Sequence, residues 1–349
     1  MSAKTEAETA LEFAQSAVSL TPVIILGSGA SAAHDIPGMW PLAEHLVSVP
    51  IPTEWEVPEQ AEWASFLQQI QNGVDLEAAL QAVRPTDRQT RFVAQITREF
   101  LLPADLKVLS RLLDNRRSLP LTRLYQYLFN STHTILHVVT PNYDRIAEYA
   151  ADAADVSTFT GFGYGYLQTR TRSVDTKVVV DGRTQRTVAV WKVHGSLDWF
   201  QDSSGQSIGI RSGCAIPSTC TPLMVTPGID KYRLTYGEPF RTVLGCADAA
   251  LRDARAYLCI GYGFNDEHLQ TKLVERCDRD SIPLLVVTKE LTPSAKAFLS
   301  GGRCRKYMAI EESGSGSRVY TTSNPTGFEV PESIWRLDKF LDYVIGDAV

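Results

Sequence analysis

Val23-Ile24-Ile25-Leu26-Gly27-Ser28-Gly29-Ala30-Ser31-Ala32 decides the fold. Four apolar residues, three of them β-branched, predict a short buried strand. Two glycines and a run of small residues follow, which predicts a tight turn into a helix. Gly27, Gly29 and Ala32 fit the G-x-G-x-x-G/A spacing. Such a turn lets the backbone approach a phosphate, and a helix start offers N–H groups and the positive end of a dipole. The match taken alone fits a dinucleotide site and equally a small-residue turn with no ligand.

Upstream, residues 5–18 predict an amphipathic helix marked by Leu11, Phe13 and Val18. Downstream, Ile36-Pro37-Gly38 predicts a turn and Pro41 to Leu46 a helix. From there to about residue 130 the apolar spacing is helical: Trp63, Phe66, Leu67 and Ile70 step at three and four, and Phe92, Ile96, Phe100 and Leu101 repeat the pattern. The Pro and Asp clusters at 85–87 and 103–105 read as breaks. A hydride-transfer nucleotide fold needs a second strand about 30 residues after the first, ending in an acid for the ribose. No strand pattern occurs here for roughly a hundred residues, which disfavours that fold.

The next strand, Thr134 to Val139, ends in Thr140-Pro141-Asn142-Tyr143-Asp144. Polar residues at the carboxyl end of a parallel strand face a ligand crevice, although Asn and Asp also cap helices. Residues 158–166 alternate glycine with aromatics and fit a lid or an edge strand. Lys177–Val180 and Thr187–Trp191 around Asp181-Gly182 predict a hairpin. Its second arm runs into Lys192-Val193-His194-Gly195-Ser196, where His194 can serve as a general base or as a hydrogen-bonded structural group. Leu223–Val225 predicts a strand into Thr226-Pro227-Gly228, and a helix is expected over 238–253. Ala256–Ile260 ends in Gly261-Tyr262-Gly263-Phe264-Asn265-Asp266, a second strand–glycine–helix crossing. Pro283–Val287 is a further buried strand, 311–317 reads as a flexible loop, and Trp335 to Val344 closes with an amphipathic helix.

The 349 residues predict about two domains, or one domain with an insertion. We expect a single domain over 1–349, with a helical lobe at about 47–130 and a strand and helix tail at about 291–349, because the strands flanking the lobe must share one sheet. The net charge of −6 provides no basic field for direct nucleic-acid binding. Lys4, Glu6, Glu8 and Glu12 interrupt any secretory apolar core, and the apolar runs are too short for a membrane span, so a cytoplasmic protein is expected. The six cysteines, at 214, 220, 246, 259, 277 and 304, form no C-x-x-C pair, so no metal is expected.

Four segments taken together, 27–31 with Ile36-Pro37-Gly38, 140–144, 192–196 and 260–266, resemble the silent-information-regulator (sirtuin) superfamily, and more narrowly its bacterial antiphage NAD-consuming branch. The resemblance spans about residues 21–290. It implies an α/β, Rossmann-like, mostly parallel sheet with helices on both faces and a helical insertion. It implies Gly27, Ser28, Gly29, Ala30 and Ser31 at the NAD+ pyrophosphate and nearby ribose, Pro37 in the loop over the nicotinamide, and Gly261, Tyr262 and Gly263 on the adenosine half. Asn142 would hold the reacting ribose and its water, Asp144 would line the nicotinamide pocket, and His194 would be the base. The chain lacks the two C-x-x-C zinc pairs of the protein deacylases and their Phe-Gly-Glu strand, with Thr226-Pro227-Gly228 standing near where that strand would lie.

The expected activity is therefore hydrolysis of NAD+ to nicotinamide and ADP-ribose by an NAD-depleting defence effector. Alternatives are a protein deacylase and a catalytically silent NAD or ADP-ribose sensor. Cleavage passes through an oxocarbenium-like state, and the cationic ring leaves neutral, so no general acid or metal is required. Such an activity needs gating. The resemblance implies a separate sensor chain, a HerA-like ATPase or, less in keeping with the length, a short Argonaute-type protein, and a homo-oligomer.

Overall fold

The computed structural model describes residues 4–171, 176–211, 216–228 and 237–346; Cys214 lies outside them. The organising stretch forms β1 (Val23–Leu26) and a short helix α2 (Ser28–Ala32) behind α1 (Glu6–Ser19). The helical run follows: α3 (Met39–Ser48), α4 (Val57–Gln71), α5 (Leu76–Val83), α6 (Asp87–Asp114) and α7 (Pro120–Leu128). The chain then returns through β2 (Ile135–Thr140), α8 (Ile146–Ala153), β3 (Ser157–Phe159), β4 (Leu167–Thr169), β5 (Val179–Val180), β6 (Arg183–Thr184), β7 (Thr187–Lys192), β8 (Gly195–Gln201), β9 (Ser207–Ile210) and β10 (Thr221–Met224). It closes with α9 (Phe240–Asp253), β11 (Tyr257–Ile260), α10 (Glu267–Arg279), β12 (Leu284–Val287), α11 (Pro293–Ser300), β13 (Tyr307–Ser313), β14 (Gly316–Thr321), β15 (Phe328–Val330) and α12 (Leu337–Ile345).

Nine strands form one sheet in the order β15-β14-β13-β12-β11-β1-β2-β7-β3. It is parallel from β13 through to β3, and β14 and β15 are antiparallel. The chain leaves β1 towards β2, β7 and β3 and later returns to β11 on its other side. The carboxyl ends of β1 and β11 therefore border a topological switch point, the crevice where open α/β sheets bind ligands. Strand side chains alternate between the sheet faces. Ile24 and Leu26 pack with α1, α6, α7, α8 and α12 on one face, and Val23 and Ile25 pack with α9, α10 and α11 on the other. This is the expected Rossmann-like sheet with helices on both faces.

The run from α3 to the first half of α6 has its own core, in which Trp63, Phe66, Ala79 and Leu80 are fully buried. Its aromatic centre stacks edge to face, Trp63 lying 5.4 Å from Trp55 and 5.6 Å from Phe92. The second half of α6 crosses to the main core through Leu101, Val108 and Leu112. β10, β8, β9 and β4 form a second, antiparallel sheet.

Three local expectations are corrected. The second arm of the expected hairpin is instead β7, paired in parallel with β2 and β3, while the hairpin shrinks to β5 and β6. Thr187–Lys192 is buried at every position, as a strand covered on both faces requires. Residues 311–317 are no loop but the β13–β14 hairpin, turned at Gly314 with φ +55°. Glu311 is buried there because Tyr320 Oη donates to it at 2.6 Å and the Leu291 N–H at 2.9 Å. Pro103 does not break a helix, since α6 continues through it. Asp105, just beyond, is anchored by Arg145 at 2.5 Å and Tyr149 at 2.6 Å, contacts no local pattern could announce.

Candidate active site

A cavity opens at the carboxyl ends of β1, β2, β7 and β11. Gly27, Ser28, Ser31, Pro37, Asn142, Asp144, His194, Tyr262 and Gly263 line it, so sequence positions up to 236 residues apart meet at one place. Gly29, Ala30 and Gly261 stand beside it rather than on its wall.

The glycines have a reason of their own. A Cβ on Gly27 would lie 2.3 Å from the Gly261 carbonyl oxygen, and one on Gly29 would lie 2.8 Å from Gly261 Cα. Gly261 sits at φ +57°, and its own Cβ would lie 2.3 Å from the Ala30 nitrogen. The two strand–glycine–helix turns thus pack backbone against backbone. The Gly27 N–H donates to the Ile260 carbonyl, the Gly29 N–H to the Gly261 carbonyl and the Ala30 N–H to the Gly27 carbonyl, each at 3.0 Å. Fewer N–H groups therefore face a ligand than the motif alone implies, and Ser28 is the exposed residue that this turn contributes to the cavity wall.

Asn142 is held in a defined orientation. Its Nδ2 donates to the Gly27 carbonyl and to Ser31 Oγ, both at 2.8 Å. A backbone carbonyl only accepts, so the neighbouring atom must be the amide nitrogen. Ser31 Oγ in turn donates its one proton to Asp144 Oδ2 at 2.5 Å. The other oxygen of Asp144 accepts from the Ile146 N–H at 3.2 Å, at the start of α8. Asp144 thus bonds the first turn of α8 from one position before its N-cap, Arg145, and also lines the cavity. With the amide nitrogen engaged, Oδ1 is the atom Asn142 has to offer an incoming hydroxyl or water.

His194 follows β7 and precedes Gly195, which has φ +91°. A Cβ there would lie 2.2 Å from the Leu223 carbonyl oxygen. Glycine therefore lets β8 lie against β10 immediately after His194. The Val225 N–H donates to the His194 carbonyl at 2.9 Å. His194 is buried, with Nε2 3.2 Å from Asp266 Oδ2.

The sequence by itself gives Asp266, Tyr143, Lys192 and Glu77 no role. Asp266 ends the second glycine turn as Asp144 ends the 140–144 segment, and that symmetry was the available signal. Tyr143 donates to the Val225 carbonyl at 2.6 Å, and burial, with Glu77 and Asp266 nearby, pushes its phenol well up. Glu77 arrives from α5 in the inserted lobe with no local mark. Among the described lining residues there are three carboxylates, on Glu77, Asp144 and Asp266, and no Lys or Arg. Among all described residues no group of three or more His, Cys, Asp or Glu could hold a metal ion. No helix among them is long and apolar enough to cross a membrane.

Residues 136–281 match the family model of a SIR2-like domain. That span contains Asn142, Asp144, His194 and the second glycine turn, and excludes β1, the first glycine turn and the helical lobe. Solved structures similar to the chain include Sir2Tm bound to a propionylated peptide, at 13% identity over 83% of this chain and 89% of that one with a TM-score of 0.42. A Sir2 homologue–NAD complex matches at 14% identity over 84% and 87%, with a TM-score of 0.40. No curated protein matches the sequence.

Proposed function

We propose that this chain hydrolyses NAD+ at the nicotinamide–ribose bond, releasing nicotinamide, ADP-ribose and a proton. The carrying observation is the convergence of Asn142 and His194 on one cavity beside the Gly27–Ser31 turn. The SIR2-like match across that region supports NAD+ as the substrate. The acidic wall supports it too, because a carboxylate lining favours a cationic ring and the positive charge that develops on the ribose carbon. Asn142 Oδ1 accepts from the ribose or the attacking water and orients it. As the C–N bond breaks, its electron pair stays with nicotinamide, the water oxygen bonds to the ribose carbon, and His194 takes the proton.

Water is favoured over an acylated peptide as acceptor by what covers Thr226-Pro227-Gly228. Gly228 packs under α5, where its Cβ would lie 3.2 Å from Leu80 Cβ and 3.5 Å from the Gln81 nitrogen. The inserted lobe thus packs against the segment that the sequence resemblance puts near the substrate strand of a deacylase. Incubation of purified protein with NAD+ followed by chromatography tests the reading. Nicotinamide and ADP-ribose in equal amounts are expected. Acyl-ADP-ribose formed only with acylated peptide would instead establish a deacylase, and binding without turnover a sensor.

The role we infer is depletion of NAD in antiphage defence by a single-domain cytoplasmic protein. It is gated by a separate HerA-like ATPase, with a short Argonaute-type partner as the second choice, and works as a homo-oligomer. The sequence resemblance supports this role. Light scattering should find an oligomer, and turnover should change several-fold when the partner is added. A monomer at full turnover that is indifferent to both partners would leave it without support.

A further inference from the structure

Lys192 ends β7, two residues before His194, and is fully buried. Its Nζ lies 3.1 Å from Glu148 Oε1 on α8 and donates to the backbone carbonyl of Asp144. It therefore ties the strand that delivers His194 to the turn that delivers Asn142 and Asp144. Backbone bonds bracket the tie: the Val193 N–H donates to the Thr140 carbonyl and the Leu197 N–H to the Tyr143 carbonyl, each at 3.0 Å. Neither touches Asp144, whose peptide with Arg145 is held on its N–H side by Asp105 Oδ1 at 2.8 Å and on its carbonyl side by Lys192, and whose carboxylate reaches the Asn142 amide through Ser31.

A buried ion pair is a poor way to stabilise a fold. Desolvation offsets most of its attraction, and apolar residues of similar volume often do as well or better. Glu148 is also imperfectly satisfied, since its Oε2 is buried with no hydrogen-bond partner. A charge kept here calls for a reason other than stability, and the Asp144 carbonyl supplies one.

We propose that Lys192 is a positioning residue: its ammonium, steadied by Glu148, clamps the Asp144 carbonyl so that the 142–144 turn presents Asn142 beside His194. The inference rests on the hydrolase reading only for what the turn is used for. Lys192 touches neither the cavity nor a substrate, and acts through Asp144.

The test uses the full chain and two variants. Lys192→Met/Glu148→Leu replaces the pair with apolar groups of similar volume. Lys192→Met alone is the second, and it leaves no uncompensated charge, because without the ammonium burial holds Glu148 in its neutral acid form. The readouts are melting temperature, hydrogen exchange of the Asn142 side-chain amide by NMR without ligand, and kcat and KM for NAD+. A folded variant should melt near wild type, yet exchange the Asn142 amide about tenfold faster or more, because the opening is local. Its kcat should fall about tenfold or more with KM within about twofold, the signature of lost transition-state alignment. A folded variant with unchanged amide exchange and wild-type kcat would overturn the proposal. A wild type that binds NAD+ without cleaving it would count against the hydrolase reading alone, because the amide exchange is measured without substrate and still decides the clamp.

Discussion

The Asn142 amide has one orientation because each neighbour allows only one. Gly27 offers a carbonyl, and Ser31 has already committed its proton to Asp144. We predict that Asn142→Ala and His194→Ala each lower NAD+ turnover by ~10²-fold or more with the fold retained. The double variant should be little worse than the worse single, because the two groups act as one unit. Steady-state kinetics check this, and near-wild-type turnover in either single variant would remove that residue from the mechanism. Gly29 makes a different prediction. Its missing Cβ makes room for Gly261 rather than for a ligand, so Gly29→Val should destabilise the whole fold by about 1–3 kcal/mol through overpacking. Denaturant unfolding measures it. Unchanged stability with lost NAD+ affinity would return the glycine to the binding site.

At the scale of elements, α5 couples the inserted lobe to the site. Its Leu76, Ala79 and Leu80 are buried, its Glu77 reaches the cavity, and its outer turn covers Gly228. Asp75 caps it by accepting from the Ala78 N–H at 2.9 Å. Asp75→Ala should cost about 1 kcal/mol, the ordinary worth of an N-cap, and that cost should fall on the lobe. Hydrogen exchange should then speed in α4 and α5 while β1, β2 and β11 stay protected. Uniform loss of protection across the chain would mean that lobe and sheet unfold as one unit.

At the scale of the whole molecule, burial of a carboxyl ties stability to pH. Burial raises the Glu148 carboxyl, and although Lys192 opposes this it ends pushed up to about 7, with Asp198 adding to the rise. Tyr125 and Tyr149 also face it, and burial raises both phenols well above their ordinary range. The folded protein therefore keeps a proton on Glu148 between its ordinary value of 4.5 and about 7, where the unfolded chain releases it. Over that window the native state binds more protons, so stability from this group falls as pH rises. We predict that the melting temperature of wild type, relative to Glu148→Gln, falls between pH 5 and pH 8. Parallel curves for the two proteins would show that Glu148 does not titrate in this range.

Local chemistry was enough to read several things from the sequence. Short, mostly apolar runs marked β1, β2, β11 and β12, because a strand covered on both faces is apolar at nearly every position, and period-3.6 apolar spacing marked the helices between β1 and β2, because a helix buries one face. Asn142 and His194 were legible because polar residues at the carboxyl ends of buried strands face the switch-point crevice. What stayed hidden depends on contacts between distant segments. Thr187–Trp191 looks like a hairpin arm until β2 and β3 flank it, and 311–317 looks like a loop until Leu291 and Tyr320 satisfy Glu311. Gly29 reads as a ligand contact until Gly261 occupies the space its side chain would need. Nothing local in the sequence pairs Lys192 with Glu148, which meet away from water only when β7 and α8 come together. A sequence records which side chains are apolar, small or charged, but which groups end up 3 Å apart is decided only when the sheet closes and each buried donor must find an acceptor.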